Sequence, residues 1–183
     1  GNLDAMTLQN FDLIEKTLEK MEALISDILD YSSIESITTE KQDVDLNNVL
    51  GDLKEILFIP ENTSIVILNK LPIVRGDSTK FQQLFQNLIS NAIKFGNKEK
   101  GIIEIDFKEE SSFYQFSVKD NGIGIEKKFH DRIFKIFHSL NKSKESTGIG
   151  LSIVKKIVDL YEGTIWLDSE VNKGTTFYFT IKK

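Results

Sequence analysis

The chain has 183 residues, enough for one core of ordinary size plus an appended element. Its 40% hydrophobic and 28% charged residues belong to a folding globular chain, which excludes a disordered or fibrous one. A net charge of -5 with Lys and Arg scattered among acids leaves no basic stripe for nucleic acid, and no Cys means no disulfide or thiolate metal site.

Two His alone do not make a zinc site. No apolar run approaches the roughly 18 residues of a membrane span, and no basic segment followed by an apolar one opens the chain. A soluble, cytoplasmic chain without membrane contact of its own is expected. Gly1 in place of an initiator Met suggests that sequence lies upstream.

In chain order, Phe11, Ile14, Leu18, Met21, Ile25 and Ile28 alternate steps of three and four, with Glu, Lys and Asp mostly between them. That spacing predicts a long helix with a coiled-coil seam. Leu24 and Leu29 widen its apolar face, which suits a dimerising helical bundle better than a two-stranded zipper or a helix packed on its own domain. Ser32 to Asp43 loses the seam and reads as a helix end and linker, dividing the chain into residues 1–40 and 41–183.

Leu46 to Phe58 reads as a helix closed off before Pro60, and Ser64 to Leu68 as a strand. Asp77 or Ser78 caps a helix to about Phe95, buried through Phe81, Leu84, Phe85, Leu88, Ile89 and Ile93 and polar at Gln83, Asn87, Asn91 and Lys94. Ile102 to Phe107, Phe113 to Val118, Thr164 to Leu167 and Thr175 to Ile181 read as strands. Gly150 to Tyr161 is a further apolar helix. Helices interleaved with such strands predict an α+β fold: a two-layer α/β sandwich with a mixed, mostly antiparallel sheet, preceded by the long helix.

Asn87 and Asn91 lie four apart on one helix face, with Lys94 beside them. A carboxamide oxygen can ligate Mg²⁺ while phosphates supply the charge; two Asn equally describe a solvated face. Asp120-Asn121-Gly122-Ile123-Gly124-Ile125 follows a strand, where glycines permit a tight turn and close approach to a ligand, or simply a turn. A buried Asp120 would accept from an exocyclic amine. Thr147-Gly148-Ile149-Gly150-Leu151 opens a helix and presents N–H groups to phosphates. It is neither a dinucleotide fingerprint nor a P-loop. Between the glycine sites, Phe134 and Phe137 precede a polar run suited to a lid or to a solvated connection.

Taken in order, Asn87 to Phe95, Asp120 to Ile125, Phe134 to Phe137, Thr147 to Leu151 and Gly174 to Phe177 resemble the N, G1, F, G2 and G3 boxes of sensor histidine kinases. Leu24 to Ser32 looks like the second helix of that family's dimerisation and phosphotransfer hairpin. The resemblance implies the fold shared with gyrase-type ATPases and related chaperones, and ATP and Mg²⁺ as ligands. Carried over by position, Asn91 would ligate Mg²⁺, Asn87 and Lys94 would serve catalysis, Lys94 at a phosphate, and Phe95 would border the adenine. Asp120 would accept from the adenine amine, with Gly122, Gly124 and Ile125 forming the floor. Thr147, Gly148, Ile149, Gly150 and Leu151 would surround the phosphates, and Thr176 would line the base pocket. The implied partners are a second copy, through the N-terminal helix once the hairpin is complete, and a response regulator; the parent protein's membrane attachment stays open.

Relatives that hydrolyse ATP resemble one another in a Glu where this chain has Asn87, and an amide cannot take a proton from water. Asn87 thus favours γ-phosphoryl transfer to an outside nucleophile. No His-Glu-Leu-Arg-Thr-Pro-like acceptor box occurs, and His130 and His138 are not assigned as acceptors. Ser139 stands where many members have a phosphate-contacting Arg, with Lys142 or Lys144 as substitutes; Ser146 replaces the first Gly of the G2 box. Tyr161-Glu162-Gly163 replaces the usual His-Gly-Gly. A degenerate nucleotide-binding scaffold and a gyrase-like ATPase are the competing expectations.

Overall fold

The computed structural model describes residues 4–34, 41–97, 99–138 and 147–183. Its first element is a 29-residue helix, α1 (Ala5–Ser33), started by the Asp4 carboxylate, which accepts from the Thr7 N–H at 2.6 Å. No α1 residue is fully buried. Phe11, Ile14, Leu18, Met21 and Ile25 are all more than half exposed, so the apolar seam is not used among the described residues. Leu24 and Tyr31 touch the core from another side of the helix, and Ile34, just past its end, is 0% exposed.

Next come β1 (Gln42–Asp45), α2 (Leu46–Ile56), β2 (Thr63–Ile67), β3 (Ile73–Gly76), α3 (Ser78–Phe95), β4 (Gly101–Glu109) and β5 (Phe113–Asp120). After a short 3-10 turn at Lys127–Phe129 follow α4 (Gly150–Leu160), β6 (Ile165–Glu170) and β7 (Gly174–Lys182). Five strands form one sheet in the order β2-β4-β5-β7-β6, with β2 parallel to β4 and the other neighbours antiparallel. The expected two-layer α+β sandwich with a mixed sheet is present.

One correction concerns the linker. Its expected end at Asp43 falls inside β1, which pairs antiparallel with β3 in a separate two-stranded sheet. Asn47, on the first turn of α2, ties this ladder down: its Nδ2 donates to the Leu71 carbonyl at 2.8 Å and its Oδ1 accepts from the Leu71 N–H at 2.9 Å. Residues 35–40 of the expected linker lie outside the described residues.

The helices cover one face of the five-stranded sheet. Helix α3 lies against β4 and β5, α4 lies against β7, and α3 and α4 pack side by side. Phe85 of α3 meets Phe116 of β5 and Phe179 of β7 edge-on, at ring distances of 6.1 and 5.7 Å, while those two rings stack at 5.0 Å. Such aromatic geometry adds to the burial of three large apolar side chains. It also anchors α3 on β5 and β7 through Phe85, and the C-terminal half of the same helix runs on to the cavity. No helix among the described residues is long and apolar enough to cross a membrane.

Candidate functional site

A cavity of about 640 Å³ opens between the C-terminal half of α3, the loop after β5, the start of α4 and the start of β7. Asn87, Ser90, Asn91, Lys94 and Phe95 line one wall because residues three and four apart share a helix face. The Asn87 Nδ2 donates to the Gln83 carbonyl at 2.8 Å, which fixes the amide and leaves its Oδ1 toward Gly150. The Lys94 Nζ stands 5.6 Å from the Phe95 ring centroid, within cation–π range.

Asp120, at the end of β5, is 8% exposed. Its Oδ1 accepts from the N–H groups of Gly122 at 2.8 Å and Thr175 at 3.2 Å. Among the described residues no hydrogen bond reaches its Oδ2. Burial raises the carboxyl's pKa above its ordinary value, opposed by the two backbone N–H groups. The cavity therefore holds a desolvated carboxylate with one oxygen fixed by the backbone and the other available to a donor.

Glycines permit the close approaches around this carboxylate. At Gly124, φ is +69° and a Cβ would sit 2.1 Å from the Glu170 carbonyl oxygen. Gly174 has φ +102°, and its Cβ would strike the Asp120 carbonyl oxygen at 2.0 Å. The loop between them is braced by Ser169, whose Oγ accepts from the Ile125 N–H at 2.8 Å and contacts the Thr175 hydroxyl at 2.9 Å. At Gly150 a Cβ would lie 2.5 Å from the Asn87 Oδ1, so the α3 amide and the start of α4 share one corner of the cavity.

The structure thus brings together Asn87, Asn91, Lys94, Phe95, Asp120, Gly124, Ile125, Thr147, Gly148, Gly150 and Leu151. Three expected residues do not line the cavity. Gly122 is buried beneath it, where a Cβ would strike the Phe95 carbonyl oxygen at 2.1 Å. Ile149 is 0% exposed, its side chain in the core and its carbonyl accepting from Ser152. Thr176 lies on the other face of β7, and its neighbour Thr175 takes the place beside Asp120. Phe177, Phe179 and Ile181 already mark the inward face, and a period of two carries that face back to Thr175.

The sequence reading also missed a wall supplied by α1. Ala23 and Asp27 line the cavity, and the Thr147 hydroxyl donates to the Asp27 Oδ2 at 2.5 Å. Spacing along the helix gave no signal for this, because Asp27 reads as one more charge between seam residues. Of the segment between the glycine sites, Ile133 is buried and Phe134 meets Phe177 edge-on at 6.4 Å. His138 lines the cavity, whereas a ring nitrogen of His130 lies 3.0 Å from the Ile125 carbonyl oxygen. Ser139, Lys142, Lys144 and Ser146 lie outside the described residues.

Residues 76–183 match the family described as histidine kinase-, DNA gyrase B- and HSP90-like ATPase. Cyanobacterial phytochrome A from Nostoc sp. is 40% identical over 185 residues, covering 98% of this chain and 24% of that protein. The autoinducer 2 sensor kinase/phosphatase LuxQ of Vibrio vulnificus is 35% identical over 196 residues, covering 97% of this chain and 23% of its own. Among solved structures, histidine kinase ThkA in complex with response regulator protein TrrA is similar with a TM-score of 0.73 and 26% identity, covering 100% of this chain and 53% of that one. The chain spans about a quarter of the length of these curated relatives.

Proposed function

Because the chain belongs to the family of histidine kinase-, DNA gyrase B- and HSP90-like ATPases, we propose that its cavity binds ATP with Mg²⁺ and that it is the ATP-binding catalytic region of a sensor histidine kinase. It would transfer the γ-phosphoryl group to a histidine outside these 183 residues. In that reading residues 1–40 are part of a dimerisation and phosphotransfer module and residues 41–183 the catalytic domain. The protein works in the cytoplasm, pairs with a second copy through α1 once the hairpin is complete, and passes phosphate to a response regulator.

Asp120 carries this reading. A desolvated carboxylate with one free oxygen suits an exocyclic amine, since a hydrogen bond to a charged group in a dry site is worth more than one in water. Gly124 lets the loop after β5 close against the Glu170 backbone beside this carboxylate, and Phe95 offers a ring in the same cavity. Gly148 and Gly150, at the start of α4, put backbone N–H groups where a phosphate would be favoured.

The cavity's amides fit a hard cation that draws most of its ligands from phosphate and water. Asn91 would hold it, with Asn87 beside it, and Lys94 would meet a phosphate oxygen. Mg²⁺, when bound, offsets charge on the transferring phosphoryl group. The residues' own part is positioning: the Gln83 carbonyl fixes the Asn87 amide, which can orient a ligand but cannot accept a proton from water.

Calorimetric titration with a non-hydrolysable ATP analogue tests the reading. Binding that needs Mg²⁺ and weakens in Asp120→Asn and Asn91→Ala is expected. Binding indifferent to both substitutions would leave a scaffold. Steady phosphate release abolished by Asn87→Ala would instead place the chain among the hydrolysing ATPases.

A further inference from the structure

Helix α1 has two working faces. At about 100° per residue, Leu18, Met21 and Ile25 of the exposed seam lie roughly 120–180° around the helix from Asp27. Asp27 and Tyr31, one turn apart, are on the side that touches the catalytic domain. Asp27 lines the cavity and accepts from the Thr147 hydroxyl at 2.5 Å. At Tyr31 the carbonyl accepts from the Lys156 Nζ at 2.9 Å, and the same ammonium stands 4.2 Å from the Tyr31 ring centroid. Thr147 precedes α4 and Lys156 lies within it, so α1 is pinned to both the glycine loop and the helix behind it.

Resting on the ATP reading, we propose that this docked face of α1 is a latch that competes with the triphosphate. A carboxylate and a phosphate are both anions, and both seek the donors around Thr147 and Gly148. With Asp27 seated there, the cavity presents a negative charge and an occupied hydroxyl to an incoming phosphate. Nucleotide binding is then coupled to release of α1. Linkage makes the coupling reciprocal: whatever pulls α1 away through its seam tightens nucleotide binding, and nucleotide loosens α1. The opposite placement of seam and latch lets a partner helix act on α1 without entering the cavity.

The test is calorimetric titration of the 183-residue chain, Asp27→Asn and Lys156→Gln with an ATP analogue and Mg²⁺. Asp27→Asn keeps an acceptor for Thr147 but removes the charge, while Lys156→Gln weakens the second pin outside the cavity. Each variant is expected to bind at least about fivefold tighter, the low end of coupling between linked sites. Amide hydrogen exchange in residues 20–33 of the parent chain should quicken when the analogue is added. Unchanged or weaker binding in Asp27→Asn overturns the latch. So does tighter binding in Asp27→Asn alone, which would reduce the effect to local charge. If no chain binds the analogue, the ATP reading fails with it; if all bind equally, only the latch fails.

Discussion

Asp120 sits inside the protein with two backbone N–H groups on one of its oxygens and, among the described residues, none on the other. Burial raises its pKa above the ordinary 3.8. The folded state therefore holds the proton more tightly than the unfolded one. Its contribution to stability is fully present below the unfolded pKa and is lost as pH rises through the raised folded pKa. Asp120→Asn removes this dependence. The variant should lose less stability than the parent as pH rises above the ordinary carboxylate range, measured by urea unfolding across that rise. Its affinity for an ATP analogue should fall about tenfold to a hundredfold, the worth of a hydrogen bond to a charged group. Parent affinity should itself decline on acidification, starting above the range of an ordinary carboxylate. Gly124 is subject to a steric limit instead. Gly124→Ala should cost about 2 kcal/mol or more, since φ is positive and the new methyl must displace the Glu170 carbonyl; a melting curve checks it. At this scale residue types were legible and facing was not. Asp120 and the glycines stand out by type, whereas the position that implies Thr176 does not say which of two adjacent threonines faces the cavity.

Helices α1 and α3 are both amphipathic, and their apolar faces have opposite fates. Those of α3 are in the core: Phe81, Leu84, Phe85 and Leu88 are 1% exposed or less. On α1, Leu18 is 59% exposed. Phe85→Ala should therefore cost about 3–5 kcal/mol, as truncation of a large buried ring does, whereas Leu18→Glu should stay within about 0.5 kcal/mol in the isolated chain. Denaturant midpoints of the two variants test the contrast; a large loss in Leu18→Glu would mean that the seam is already used within one chain. Long periodic elements such as these were readable because burial on one face leaves a repeating signal. Strands β1 and β3 were not, having four residues each and pairing only with one another. A segment that short carries too few alternations to stand apart from a linker, and what holds it, the Asn47 amide clasping Leu71 across 24 positions, is a tertiary contact with no local pattern.

The whole molecule joins an exposed helical seam to the cavity, and α1 belongs to both. That connection was the least legible part of the chain, because Asp27 and Thr147 are 120 positions apart and Asp27, unlike Thr147 in its glycine motif, reads as one more charge between seam residues. On the kinase reading, the same assembly fixes what the chain can do alone. Asn87 lines the cavity with its amide held by the Gln83 carbonyl, so it offers no base to a water molecule. A phosphoryl acceptor must then be supplied, and the two histidines of the chain are differently placed for that role. A His130 ring nitrogen is engaged at the Ile125 carbonyl, while His138 lines the cavity. Proximity to ATP is not sufficient for acceptance, since in-line transfer needs a nucleophile facing the γ-phosphoryl group along its leaving bond. Incubation with labelled ATP and Mg²⁺ should thus leave the chain unlabelled at neutral pH, and His138→Ala should change nothing. Acid-labile phosphate should appear instead on a separately supplied helix that carries a histidine able to pair with the α1 seam, and Leu18→Glu should reduce that transfer while the nucleotide affinity of the chain alone holds. Acid-labile label on the chain itself, lost in His138→Ala, would make the cavity histidine the acceptor and remove the need for any other.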